Sequence, residues 1–147
     1  MNKDSGRRPE PRAGKGRLVL ELRAGDRMLV NGAALQFQTR ASVVLANEAR
    51  FLFGKQLLSP DATTTPARRL YFAMQSAYVA EATDRETYMA LARLRAAEYM
   101  HATTSEAIRS LLRDAMEEME AGRGWEALRR VRDLFAYDDV VLNIGRH

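Results

Sequence analysis

Arginines are the residues of this chain whose type and spacing suit a binding chemistry, because a guanidinium offers five N–H donors in a planar fork that matches phosphate and carboxylate oxygens. Six of them lie at the ends or on the polar faces of short β-type runs, or in the first turn of a predicted helix: Arg23, Arg27, Arg40, Arg50, Arg68 and Arg69. Because basic sheets bind unpaired RNA, these six are candidate contacts to RNA phosphates, with ion pairs to neighbouring carboxylates as the alternative.

Arg68 and Arg69 lie where the helix dipole disfavours positive charge, at a cost of about 0.3–1 kcal/mol each. Such a placement indicates a negative partner for their side chains. That partner is either a phosphate or a nearby carboxylate, and Glu48, Asp61 and Glu81 are the carboxylates that the sequence offers.

Reading an RNA sequence would also require aromatic side chains that stack on splayed bases. Phe37, Phe51 and Tyr71 are the candidates near the arginines. Aromatic residues in such positions are more often part of a hydrophobic core, so the sequence leaves their role open.

Constellations for catalysis or metal binding are missing from the sequence. The chain has no cysteine, and its two histidines, His101 and His147, cannot assemble a thiolate zinc site or a nucleophile–base–orienter triad. Gly54 and Lys55 lack the remaining residues of a phosphate-binding loop. A solvated helix face explains the acidic run at 114–120. We therefore expect no enzyme activity, no catalytic residue, no metal and no cofactor.

Positive charge is concentrated at the front of the chain. Residues 1–16 carry five Lys/Arg against two acidic residues, residues 17–82 carry eight against five, and residues 83–147 carry ten against twelve. This asymmetry favours a polyanion-binding front half, although a solvated surface with a basic tail would give the same distribution. The lack of cysteine and of long apolar runs leads us to expect a cytoplasmic protein without membrane contact.

Two regions follow from the pattern of apolar residues. Residues 1–16 are rich in Gly, Pro, Lys and Arg, and we expect a disordered basic extension there. Residues 17–147 are expected to form a single domain, with a β-rich part at 17–54 and a helical part at 65–147.

The β-rich part contains short alternating runs bounded by turn residues, at 18–23, 27–31, 33–38, 40–47 and 49–54. Asn31 and Gly32 tolerate positive φ and form the strongest hairpin signal among them. The pattern therefore predicts an antiparallel meander of about five short strands.

Helix signals dominate the rest of the chain. Thr65 and Pro66 predict one helix start, while Thr83 and Thr103, each followed three residues later by glutamate, predict two capping boxes. A fourth helix is predicted from Trp125. The expected fold class is α+β, with the N-terminal meander followed by about four helices packed as a bundle.

Three segments together resemble a known family: LVLELRAGDRMLVNGA (18–33), FLFGK (51–55) and TPARRLYFAMQSAYV (65–79). They are similar to the FlbT family of flagellar biosynthesis regulators, and the likeness runs from Leu18 to the last helix. The resemblance implies a post-transcriptional regulator that associates with the 5′ untranslated region of flagellin mRNA and limits its translation or stability. It also implies a second flagellar protein, FlaF, as a partner.

An alternative function is a protein-interaction module that docks flagellin, FlaF or another flagellar factor and affects RNA only indirectly. Five methionines of the helical part would suit a partner groove or a core equally well: Met74, Met89, Met100, Met116 and Met119. Because short apolar edge strands gain from being covered, we also expect a homodimer.

Overall fold

The protein, represented by a computed structural model, is described here over residues 12–13, 18–46 and 49–145. Its strands are β1 (Arg12–Ala13), β2 (Leu18–Leu22), β3 (Arg27–Val30), β4 (Ala33–Gln36), β5 (Ala41–Leu45) and β6 (Ala49–Phe53). Its helices are α1 (Pro66–Val79), α2 (Ala82–Ala102), α3 (Glu106–Glu120), α4 (Gly124–Arg132) and α5 (Leu134–Gly145). Short 3₁₀ turns, Gly54–Gln56 and Pro60–Ala62, lead into α1. The α+β class, with strands first and helices after, is confirmed.

The strands form two small antiparallel sheets. One contains β1, β6, β3 and β4 in that spatial order, and the other contains β2 and β5. In a simple meander β2 would pair with β3, but here it pairs with β5 from Leu18 opposite Leu45 to Leu22 opposite Ala41. The reason is that the turn after β2 carries the chain from one sheet to the other, so that their apolar faces can pack together.

The core between the two sheets is built from alternate residues of each strand. Leu20 and Leu22 of β2 face Met28 of β3 and Phe51 and Phe53 of β6, all buried. The neighbouring residues of the four-stranded sheet, Leu29 and Leu52, instead face the helices. The four-stranded sheet therefore lies between the small sheet and the helical part.

The hairpin predicted at Asn31 and Gly32 is confirmed. Asn31 has φ of 47° and Gly32 has φ of 87°, the positive values that a two-residue hairpin turn requires. Val30 pairs with Ala33 across this turn, which fixes the register of β3 and β4. β4 has no strand on its other side among the described residues.

Helix α1 is the centre of the helical part, because it contacts β6 on one side and α2, α4 and α5 on the others. Leu70, Tyr71 and Met74 have no exposed surface. The predicted N-terminus is confirmed, since the Thr65 hydroxyl accepts a hydrogen bond of 3.2 Å from the Arg68 N–H and Pro66 opens the helix.

Two predicted capping boxes do not form. Helix α2 begins at Ala82, after Glu81, and has no side-chain cap at its first turn. Helix α3 is capped by Ser105, whose hydroxyl accepts from the N–H of Ile108. The Thr103 hydroxyl instead accepts a hydrogen bond from the N–H of Ser105. Ser105, the residue directly before the helix, is therefore the N-cap of α3.

The predicted fourth helix is divided into α4 and α5 at Asp133. Asp138 of α5 is buried. Its carboxyl accepts a 2.8 Å hydrogen bond from the N–H of Ala67 and another from the hydroxyl of Tyr99. One side chain of α5 thereby holds the first turn of α1 and the last turns of α2.

Most of the predicted extension at 1–16 lies outside the described residues. The exception is Arg12–Ala13, where the sequence predicted disorder and the structure shows strand β1. Arg12 pairs with Arg50 and Ala13 with Ala49 at the edge of β6. Backbone pairing of this kind needs no apolar side chains, which is why the composition did not indicate it.

Candidate nucleic-acid interface

Arg23 and Arg40 lie at the same end of the small sheet. Because Leu22 pairs with Ala41, Arg23 directly follows β2 and Arg40 directly precedes β5 at adjoining strand ends. The side chain of Arg23 is 78% exposed, and its Nε lies 4.0 Å from Asp26 Oδ2. An exposed pair at that distance is weak and leaves the guanidinium available to another anion.

Arg27 lies near the same end of the β-rich part but on the other sheet. It is the exposed first residue of β3 and shares the helix-facing side of that sheet with Leu29. Among the described residues, neither Arg27 nor Arg40 has a carboxylate within ion-pairing distance. We call Arg23, Arg27 and Arg40 the turn-end arginines.

Arg68 and Arg69 are adjacent in sequence but differ in their surroundings. Arg68 donates from Nη1 to Asp139 Oδ1 at 2.7 Å and from Nη2 to Oδ2 at 3.1 Å, and its Cζ lies 4.7 Å from the centre of the Phe135 ring. Arg69 is exposed and has no ion pair with any other described residue. Arg69 is therefore the more accessible of the two for a phosphate.

The predicted carboxylate partners of the Arg68 and Arg69 pair are not the ones found. Asp139, 71 residues along the chain, neutralises Arg68, and its pKa is lowered by the hydrogen bonds from that guanidinium. Neither Asp61 nor Glu81 pairs with Arg68 or Arg69 in the described structure, and Glu48 lies outside the described residues. The negative partner that the helix dipole required is supplied by α5.

Arg50 is separated from the turn-end arginines by the length of β3. Its N–H donates to the Asn31 side chain at 3.2 Å, beyond the last residue of β3, whereas Arg27 is the first. Its guanidinium lies 6.0 Å from the centre of the Tyr78 ring, beside a second cleft lined by Glu86 and Glu120. Both of these carboxylates are ion-paired with Arg93, and Arg85 lines the same cleft, so Arg50 belongs to a separate charged cluster.

The six predicted arginines thus do not form one continuous surface. The turn-end arginines lie near one end of the β-rich part, Arg69 is exposed in the first turn of α1, and Arg50 and Arg68 contact side chains of the helical part. The aromatic residues considered for base stacking belong to the core: Phe51 and Tyr71 are fully buried, and Phe37 is partly buried.

Arg132 is a cation in this region that the sequence reasoning missed. It donates from Nη2 to the Lys55 carbonyl, and its Cζ lies 5.1 Å from the Tyr71 ring and 5.4 Å from the Phe135 ring. Burial raises the pKa of Tyr71, and the charge of Arg132 opposes that rise. The one local sign of this role was the position of Arg132 beside the apolar stripe of α4.

The methionines considered for a partner groove are mostly part of the core. Met74, Met89 and Met119 are buried, and Met100 and Met116 pack against the same cluster. The described residues contain no group of three or more potential metal-ligating side chains. Along the same described ranges, none of the helices has the length and apolar character needed to cross a bilayer.

The fold defines a small α+β protein in which two antiparallel sheets precede a helical part. A profile of the family described as "Flagellar protein FlbT" matches residues 18–142, and this chain belongs to that family. No solved structure matches the chain.

Relatives from several bacteria carry the name "Probable flagellum biosynthesis repressor protein FlbT". The chain is 37% identical over 120 residues to the protein of Brucella anthropi, covering 81% of this chain and 78% of that protein. It is 32% identical over 130 residues to that of Rhizobium johnstonii, covering 88% and 86%. It is 38% identical over 114 residues to that of Brucella ovis, covering 77% and 74%. These names support a regulator of flagellar synthesis.

Proposed function

We propose that this protein regulates flagellum biogenesis after transcription, in the cytoplasm, by associating with the 5′ untranslated region of flagellin mRNA and limiting its translation or stability. Support for the regulatory role comes from the names of the relatives. Support for the RNA contact comes from the family resemblance and from the exposed arginines.

The observation that carries the proposal is the placement of Arg23 and Arg40 at the adjoining ends of two paired strands, β2 and β5. Like charges on neighbouring strands repel by a few tenths of a kcal/mol, up to about 1 kcal/mol, unless an anion lies between them. A phosphate of single-stranded RNA would provide that anion. Arg27 and Arg69 extend the contact, whereas Arg50 and Arg68 contribute less because other residues already engage them.

A gel-shift titration against salt tests this contact. The RNA is a flagellin leader, with a scrambled leader of equal length as the specificity control. Each phosphate neutralised on a single strand contributes about 0.7 to the slope of log affinity against log salt. We expect Arg23→Ala and Arg40→Ala each to reduce the slope by about that amount. Arg129→Ala, at an exposed arginine beside Glu126 and Asp133, is the matched control and leaves the slope unchanged.

Two results would contradict the RNA contact. One is an affinity that does not depend on salt, and the other is an equal reduction of the salt slope in Arg129→Ala and Arg40→Ala. If the scrambled leader binds equally well, the proposed phosphate contact still holds, but the protein does not recognise a particular leader sequence.

An alternative function, docking of a flagellar protein, is favoured by a specific observation. A cleft of about 400 Å³ with mainly apolar walls opens between β4 and the junction of α1 and α2. Pull-down with and without ribonuclease separates the two functions, because partners that persist after RNA digestion are held by protein contacts. If purified protein also fails to bind the leader, the docking function replaces the RNA contact.

A further inference from the structure

The cleft beside β4 has a mainly apolar interior. Leu29 of β3, Leu57 and Leu58 before α1, and Phe72 and Val79 of α1 line its interior. Its volume of about 400 Å³ lies within the range of sites that hold small ligands or a few side chains of a peptide. Ala34 and Leu35 of β4 also line it, so a segment added beside β4 would border this space.

Strand β4 presents an unpaired backbone edge to this space. All four of its residues, Ala33–Gln36, are exposed. In an antiparallel hairpin with a two-residue turn, hydrogen-bonded pairs alternate with pairs that point their backbone groups outward. Val30–Ala33 and Met28–Leu35 are the bonded pairs, and the 2.9 Å bond from Phe37 N to Asp26 O continues the series. The N–H and C=O groups of Ala34 and Gln36 therefore point outward.

The two ends of the cleft carry opposite charges. Glu81 and Asp84 lie at the end near the β3–β4 turn. The Glu81 side chain is close to Gly32 of that turn, since a Cβ added to Gly32 would lie 3.1 Å from Glu81 Cγ. Arg27 lies at the other end, opposite Gln36 in the register. A bound segment is thus oriented by charge, with a cation towards Glu81 and Asp84 and an anion towards Arg27.

A second copy of this chain fits the cleft poorly. Pairing of two β4 strands would continue the sheet, and the side chains brought to its helix-facing side would be those of Ala34 and Gln36. One is small and the other polar, so the apolar floor would stay uncovered. An extended segment with large apolar residues at alternate positions would cover it.

We propose that this cleft binds an extended segment of a partner protein, which adds antiparallel to β4, buries alternate apolar side chains against Phe72 and Leu57, and places an acidic residue at Arg27 and a basic residue at Glu81 and Asp84. The inference goes beyond the RNA contact, because Arg27 is the one residue that the two share, while Arg23 and Arg40 lie at the other sheet.

A designed peptide tests the cleft directly. The probe is a fluorescein-labelled, C-terminally amidated peptide, Asp-Thr-Val-Thr-Leu-Thr-Lys, and fluorescence anisotropy reports its binding to the full chain. Antiparallel addition brings its first residue to Arg27 and its last to Glu81 and Asp84. The reversed peptide, Lys-Thr-Leu-Thr-Val-Thr-Asp, is the control, and we expect it to bind at least about tenfold more weakly.

Proline at an outward-facing position removes an N–H that only the added strand would use. We expect Ala34→Pro to weaken peptide binding by at least about tenfold, since proline is tolerated on an edge strand where the N–H faces solvent. Gln36→Pro is a second variant of the same kind, and circular dichroism checks that each keeps its fold. Affinity for the flagellin leader should not change, because Arg23 and Arg40 lie at the other sheet and both substitutions leave the Arg27 side chain in place.

Three results would overturn the proposal. One is the absence of saturable binding up to about 1 mM peptide. Another is equal binding of the reversed peptide. The third concerns sedimentation: the unmodified chain is a dimer and Ala34→Pro is a monomer. That result would show that the β4 edge binds a second copy of the chain.

Discussion

Arg68 in the first turn of α1 and Asp139 in α5 form a two-point ion pair, with N–O distances of 2.7 and 3.1 Å. The same guanidinium lies on the face of Phe135, at 4.7 Å from its Cζ to the ring centre. These contacts fasten the last helix to the central one. They also explain why a cation is tolerated at a helix N-terminus, since the carboxylate compensates the unfavourable dipole.

Arg68 and Arg69 should therefore respond differently to replacement by alanine. Arg68→Ala loses the ion pair and a cation–π contact, of which the latter alone is worth about 0.5–1 kcal/mol of unfolding free energy. Arg69→Ala should leave the free energy of unfolding within about 0.5 kcal/mol of the original. Urea denaturation measures both changes. The affinity for the flagellin leader should change in the reverse order, with the larger loss in Arg69→Ala. A larger loss of affinity in Arg68→Ala would assign the phosphate contact to Arg68.

Tyr99 and Asp138 form a buried polar contact that should be important for stability. Tyr99 is 4% exposed and donates its hydroxyl hydrogen to Asp138, which is 5% exposed. Burial is the larger cause that raises the pKa of the Tyr99 hydroxyl, and the hydrogen bond to the Asp138 carboxyl is the second. Tyr99→Phe removes one partner of a buried carboxyl, so we expect a loss of about 1–3 kcal/mol of unfolding free energy.

The matched control for that change is Tyr88→Phe, since Tyr88 is 38% exposed. Its unfolding free energy should stay within about 0.5 kcal/mol of the unmodified chain. Equal effects of the two substitutions in chemical denaturation would show that the Asp138 contact does not stabilise the fold.

Glu118 makes a contribution to stability that depends on pH. Hydrogen bonds from Arg130, with Nε 2.6 Å from Oε1, join α3 to α4 and lower the pKa of Glu118. A lowered folded-state pKa gives stabilisation that is complete above the ordinary glutamate pKa of about 4.3 and is lost as pH falls through the folded value. The urea midpoints of the unmodified chain and Glu118→Gln should differ between pH 5 and 7 and converge below about pH 4.

Glu117→Gln provides the control for this titration, because Glu117 is the exposed neighbour and has no ion pair with another described residue. Its midpoint should follow that of the unmodified chain at every pH. A Glu118→Gln difference that stayed constant down to pH 3 would attribute the effect to packing rather than to charge.

The candidate site was only partly predictable for a physical reason. That Arg23, Arg27, Arg40 and Arg69 are exposed follows from their places at strand ends and in a first helical turn, which are local features. That Arg68 is neutralised depends on Asp139, and that Arg132 covers Tyr71 depends on a helix 61 residues away. Propensity and spacing describe neighbours along the chain and contain no information about such contacts.

Local chemistry in the sequence was sufficient to determine the α+β order, the Asn31–Gly32 turn and the Thr65 cap, because each depends on backbone preferences within a few residues. Only the tertiary structure decided that β2 pairs with β5, that α5 returns to α1 through Asp138, and that β4 keeps an open edge beside an apolar cleft. These features arise when distant apolar faces are buried together, and many pairings of short strands satisfy the same local pattern.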